Sequence, residues 1–290
     1  MRFRILCVIP LGIGAILAGC GGSSSSSGES ANSGTTSAGG NSVVVGDFEV
    51  FDAGDGNSVL PAVNQSAERL FSISATANKT GNVAGNISDH TVAADYELLA
   101  RLTAVSNDDN QLALYPSLNE FTGQINAMPA AIPGAWFRSY SDNGVIVGGS
   151  NSDTTGLFSL ETQHVFTVPA LVLAVPATRL GEGATWSTES PISTEAGASL
   201  GVLRTTGIVT ALTTTALTVR VETVYVAQNQ DDGAMMESIV EATYDTNTLL
   251  IRNGNVTSTI AFIDQVKRNG EPVTISSTHH IVHEIDEASP

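Results

Sequence analysis

Cysteine is almost missing from this sequence of 290 residues, occurring only at Cys7 and Cys20. The chain beyond residue 20 therefore has no disulfide, no thiol nucleophile and no cysteine metal site. Its stability has to come from core burial, and a folded region of about 250 residues buries roughly three-quarters of its unfolded surface. Lysine is nearly as scarce, with only Lys79 and Lys267, and the formal charge is −17. Such a surface repels phosphate backbones and anionic lipid head groups, so no nucleic-acid partner is expected. A high negative charge also suits a salty medium. No Walker-type or dinucleotide loop occurs. Gly148-Gly149-Ser150 lacks the spacing of a nucleophile elbow. No cofactor is expected and no catalytic residue stands out. Triads are recognised by geometry, so a hydrolase assembled from distant residues stays open as a third reading. No internal repeat of 20–50 residues is visible.

What is present begins with an address. Arg2 and Arg4 precede an apolar run over residues 5–17, interrupted by Pro10, Gly12 and Gly14. That run is short of the roughly 20 apolar residues a spanning helix needs. It has the size and polarity of a secretory signal. It ends in Leu17-Ala18-Gly19-Cys20, which resembles the lipobox of bacterial lipoproteins. The resemblance covers 20 residues and implies a signal peptide over 1–19, with Cys20 acylated as the mature N-terminus. An ordinary secretion signal with an incidental cysteine is the alternative. Loss of residues 1–19 moves the formal charge from −17 to −19. Acylation contributes about 0.8 kcal/mol per buried CH2, so several chains on one cysteine anchor firmly. In Gram-negative lipoproteins an aspartate after the cysteine favours the inner membrane; Gly21 stands here, and the resemblance implies the outer membrane. The membrane, through this anchor, is the expected partner.

Residues 20–41 follow as the lipidated cysteine and a tether of Gly, Ser, Thr, Ala and Asn, with one charge at Glu29. Nothing there is large enough to pack, and random-coil scaling gives an end-to-end distance of roughly 25 Å.

From residue 42 to 290 the composition turns to valine, threonine, isoleucine and alanine with closely spaced turn residues. This is an all-β domain; residue 150 is the point of division if it forms two lobes. Residues 43–51 read as a strand, followed by a turn over 52–57. Residues 68–77 read as another, ending at Asn78-Lys79-Thr80-Gly81. Over 92–105, Val92, Ala94, Tyr96, Leu98, Ala100 and Leu102 alternate with polar residues, the pattern of a half-buried strand. Leu98, Leu99 and Leu102 would also suit a helix; the polar turn at 106–110 and the apolar partner at 111–115 favour the strand. Asn143-Gly144, Asn253-Gly254 and Asn269-Gly270 are hairpin signals, since both residues tolerate positive φ. They would pair 136–140 with 145–147, 249–252 with 255–263, and that strand's end with 272–285. Residues 216–226 alternate most clearly. Such meander connections predict an antiparallel sheet.

One stretch differs. Leu157, Leu160, His164, Val165 and Val168 fall at helical spacing after a cap at Asp153 or Thr154, and Pro169 would end or kink that helix. The apolar run 171–175 follows, up to Pro176. The expected fold is a mainly β, curved antiparallel sheet, a half-barrel or open barrel, with one helix packed on its concave side.

Next comes Leu180-Gly181-Glu182-Gly183-Ala184-Thr185-Trp186. A Gly-rich turn into a Trp-bearing strand, after a helix and a proline, resembles a motif of bacterial envelope lipoproteins. Over residues 176–286 the strand pattern is similar to the half-barrels of LolA-like carriers and LprG-type lipid binders. The first hundred residues after the tether match no such pattern. The resemblance implies a concave face holding acyl chains or another apolar ligand, touched by Leu157, Leu160, Val165, Leu171, Leu173 and Trp186. Trp186 would close its mouth or simply pack in the core.

Metal sites are poorly supported. His279 and His283 share a strand face but lie roughly 13 Å apart, with His280 on the other side. Glu161 and His164 form one Glu-x-x-His pair where a di-metal bundle needs two. Asp52, Asp55 and Asn57 lack the spacing and closing glutamate of an EF-hand loop. No metal is expected. The leading expectation is a non-enzymatic, membrane-anchored envelope lipoprotein that binds or carries an apolar, lipid-like ligand. The alternative is a structural or protein-interaction module; the third is an envelope hydrolase.

Overall fold

The computed structural model describes residues 35–38, 41–105, 110–123, 136–151, 165–166, 168, 170–194, 198–228, 234–268 and 271–288. Sixteen strands follow in chain order. They are β1 (Thr35–Ala38), β2 (Asn41–Val44), β3 (Phe48–Asp52), β4 (Asp55–Val59), β5 (Ala67–Val83) and β6 (Asn86–Thr103). The middle of the chain adds β7 (Asn110–Gly123), β8 (Trp136–Tyr140), β9 (Ile146–Asn151), β10 (Leu180–Glu182) and β11 (Thr185–Thr194). The last five are β12 (Ser199–Leu212), β13 (Ala216–Ala227), β14 (Met235–Asp245), β15 (Ile251–Arg268) and β16 (Glu271–Glu287).

One antiparallel sheet takes in nearly all of them, in the order β1-β2-β11-β12-β13-β14-β15-β16-β5-β6-β7-β8-β9, with β3 also on β11. It is not closed into a barrel; β4 and β10 make a separate pair. Two meanders, β5 to β9 and β11 to β16, are joined where the last strand runs antiparallel to β5, from Ile275↔Val83 to Glu287↔Phe71. Strands from both sides of residue 150 thus belong to one sheet.

Period-two alternation builds its inner face. On β5, Phe71, Ile73, Ala75 and Ala77 are buried while Ser72 and Ser74 are exposed. On β6 the buried set is Val92, Ala94, Tyr96, Leu98, Ala100 and Leu102, the residues whose alternation marked the strand. Each large apolar side chain buried this way contributes about 1.5–3 kcal/mol. Trp186 lies across from Gly207, where a Cβ would run into the indole, so the largest side chain fills the space left by the smallest.

Several expected boundaries move. Residues 43–51 form two short strands rather than one, because Gly46 turns in against the Glu189 backbone and its carbonyl accepts a bond from Thr188 Oγ1. Asn78-Lys79-Thr80-Gly81 is no turn. It lies inside β5, where Asn78 and Thr80 bond outward to Thr91 and Asp89, and the chain reverses at Ala84-Gly85. Asn253-Gly254 is also mid-strand, in β15, because a glycine there lets β14 approach: a Cβ would overlap Ala242. Around Asn143-Gly144, by contrast, β8 and β9 pair as expected across residues 141–145. β15 and β16 pair as expected up to Arg268↔Glu271, while Asn269-Gly270 itself lies outside the described residues.

The expected helix packed on the concave side is not supported. Among the described residues only Val165 and Phe166 are helical, and residues 171–175 run as irregular buried chain. Two prolines, Pro169 and Pro176, bracket an apolar stretch that takes its hydrogen bonds from neighbouring loops instead of from itself. Leu173 N–H donates to Leu249 O, Val175 N–H to Asn143 O, and Ile251 N–H to Leu171 O, each at 2.9 Å. Leu157, Leu160, Glu161 and His164 lie outside the described residues.

Candidate functional site

Residues 165–166 and 170–175 form a crossing segment against the inner face of the sheet, and two buried tyrosines fasten it there. Tyr96 on β6 donates its hydroxyl to Val165 O at 3.0 Å, and Tyr244 on β14 donates to Ala170 O at 2.9 Å. Burial pushes both phenols well above the ordinary tyrosine value, so both act as neutral donors. Phe166 sits between Tyr96, with ring centroids 5.3 Å apart and tilted, and Phe121, stacked at 6.3 Å.

Next to this crossing segment lies a cavity of about 130 Å³. Leu171, Val172 and Leu173 form one wall. Leu203, Val221, Val240 and Tyr244 on β12 to β14 form another, and Phe48, Tyr140 and Ile146 close the side. Residues from the two ends of the strand order therefore face a common space, which a flat sheet could not arrange. Polar groups also converge there: Thr188, Ser190, Thr205, Thr223 and Arg138. The hydroxyls of Thr205 and Thr223 bond each other at 2.9 Å, and Thr188 is engaged by Gly46. Apolar walls with a few convergent polar groups are the ordinary make-up of a ligand site.

A larger groove of about 690 Å³ involves β12 to β16 but is walled by Thr210, Thr218, Arg220, Glu241, Asn253, Glu284 and Asp286. Arg220 there pairs with Glu222 and Glu241, and the walls are polar and charged rather than apolar. Volume alone does not make it the better site.

Of the six residues expected to touch a ligand, Leu171 and Leu173 line the cavity. Val165 and Trp186 are buried but are not part of its lining, and Trp186 packs on Gly207. Leu157 and Leu160 fall outside the described residues. Sequence reasoning missed Arg138, Tyr140 and Tyr244. The inverted pattern of β8, with Phe137 outward at 48% exposure and Arg138 inward at 4%, is the signal that could have found the first two.

The metal candidates resolve by position. His279 and His283 face inward and are buried, on a strand central to the sheet and not on a half-exposed edge; His280 faces out. His279 Nε2 and Ser277 Oγ share a hydrogen bond of 3.0 Å, and its ring stacks at 6.2 Å on Phe262. Asp52 Oδ1 accepts from Gly54 N–H at 2.9 Å, a turn bond in an exposed loop. Among the described residues no group of three His, Cys, Asp or Glu is placed to hold a metal ion. No protein-family model matches this chain, and no curated protein sequence matches it.

Proposed function

We propose that this chain is an envelope lipoprotein, tied to the outer membrane through acylated Cys20, whose sheet binds a small apolar molecule beside the crossing segment. A tether from residue 20 up to the first strand, Thr35–Ala38, holds the domain off the bilayer, and the curved sheet serves as a half-barrel with residues 170–175 laid against its inner face. The observation carrying this reading is the cavity between Leu171, Leu173 and the inner face of β12 to β14. A cavity of about 150 Å³ lined by apolar side chains takes up benzene. The space of about 130 Å³ thus suits a ligand of that order, and a long acyl chain would enter fully only if the crossing segment moved.

The test uses the full chain carrying Cys20→Ser, analysed by native mass spectrometry before and after organic extraction. A bound species released by solvent supports the reading. A clean mass, unchanged after incubation with a membrane extract, overturns it in favour of an interaction module. Anchoring is checked separately: labelled palmitate is expected in the wild-type chain, sedimenting with outer membranes, and is expected to vanish in Cys20→Ser.

A further inference from the structure

Arg138 is out of place. β8 pairs with β7 and β9, and the alternation that points Phe137 outward points Arg138 and Tyr140 into the interior, opposite Leu112 and Ile146. Its neighbour in register, Leu112, is wholly buried. A guanidinium at such a position loses its water and needs an anion in return.

Five other arginines of the described residues, Arg69, Arg101, Arg204, Arg220 and Arg252, each hold a carboxylate. Arg138 pairs with none among the described residues, and its Nε is buried without a hydrogen-bond partner. The group it does engage is the Tyr140 hydroxyl. Burial raises that phenol, and the charge and hydrogen bond of Arg138 pull it only part of the way back. Arg138 and Tyr140 both line the apolar cavity.

We infer that Arg138 is the anchor for the carboxylate of an apolar monoacid, whose tail lies against Leu171, Leu173, Leu203 and Val240. This rests on the cavity reading above and names the ligand class for it. A planar guanidinium fork matches a carboxylate through two parallel N–H bonds, and Tyr140 offers a hydroxyl beside it. One cation and one hydroxyl satisfy a singly charged head; a phosphate dianion would bring more charge and more acceptors than these two groups answer. The volume restricts the tail to a few carbons or one ring.

The experiment is calorimetric titration of the full chain carrying Cys20→Ser with butyrate, hexanoate, octanoate and benzoate, each beside its matching alcohol. The acids are expected to bind roughly ten- to a hundredfold tighter than the alcohols, the difference a charge-assisted bond makes. Arg138→Met should bring acid affinity down to that of the alcohol, and Arg138→Lys should retain part of the preference. Without ligand, Arg138→Met should melt at or above the wild-type temperature, because it removes a buried unpaired charge. Equal binding of acids and alcohols by the wild type would overturn the anchor and leave the cavity reading standing. Binding of neither would sink the cavity reading itself. A lower melting point for both variants, with acid preference unchanged in Arg138→Lys and Arg138→Met, would make Arg138 a structural residue and overturn the inference.

Discussion

Asp245 is a carboxylate on which two arginines converge. Its carboxylate takes Arg69 at 2.9 Å and Arg252 at 2.7 Å, and its other oxygen accepts the Asn247 N–H at 2.9 Å. Burial by itself would raise this carboxyl. The hydrogen bonds from Arg252 and Asn247 and the charges of both arginines outweigh burial and hold it below the ordinary carboxylate range. A depressed carboxyl contributes stability that is fully present above its unfolded value near 3.9 and is lost as pH falls through the folded one. Asp245→Asn is therefore expected to cost about 2–3 kcal/mol at pH 7, less than the roughly 3–5 kcal/mol for breaking a fully buried pair because Arg252 is a third exposed. The gap in melting temperature between wild type and variant should begin to narrow below about pH 4, where the unfolded carboxyl takes up its proton, and close as the folded carboxylate is protonated at lower pH. A gap that stays constant down to pH 2.5 would show that the charge is not its source. None of this could be read from the chain, since Arg69 and Asp245 lie 176 residues apart. Arg138 was open to the eye as the wrong residue on an inward position, but only once the face of β8 was known.

At the scale of single elements, legibility depended on whether a pattern had one cause. The alternation of β6 comes from a strand with one buried face, and every second residue from Val92 to Leu102 is buried. Asn-Gly pairs have two causes. Gly144 has φ +79 and serves a turn, while Gly254 serves close packing on Ala242. The β5–β6 reversal carries no such signal, since Ala84 and Gly85 occupy it with φ of 53° and 87°. An L-alanine is strained there, so Ala84→Asn should raise stability by about 0.5–1 kcal/mol without altering the far-UV spectrum. Urea titration checks this, and a loss of stability would mean that the turn does not hold these angles in solution. The crossing segment is legible as apolar and bracketed by proline; of the helical spacing over 157–168 only residues 165, 166 and 168 lie among the described residues. Tyr96→Phe removes its bond to Val165 O and leaves a buried carbonyl unanswered, at a cost of about 1–2 kcal/mol. For a domain of this size that is a fall in Tm of about 2–8 °C.

Across the whole molecule, the antiparallel class was readable from short turns and alternating strands, and the order of strands was not. Turn chemistry reports which strands are adjacent in the chain; it says nothing of the pairing between β16 and β5, which depends on two strands nearly 200 residues apart meeting edge to edge. Removal of residues 271–290 should not merely trim an end. It is expected to strip the partner from β5 and from β15 together, leaving two open edges backed by buried valine and isoleucine positions. Size-exclusion chromatography of that truncation should show aggregates rather than a shortened monomer. A well-folded monomer would mean that the two meanders are independent.

A chain is made from its N-terminus, and here the strand that unites the two meanders, β16, is made after both of them. Until β16 is made, β5 has no partner on one side, so the centre of the finished sheet is an unpaired edge while the rest of the sheet is synthesised. The two meanders can form early, but the single sheet waits on residues 271–287.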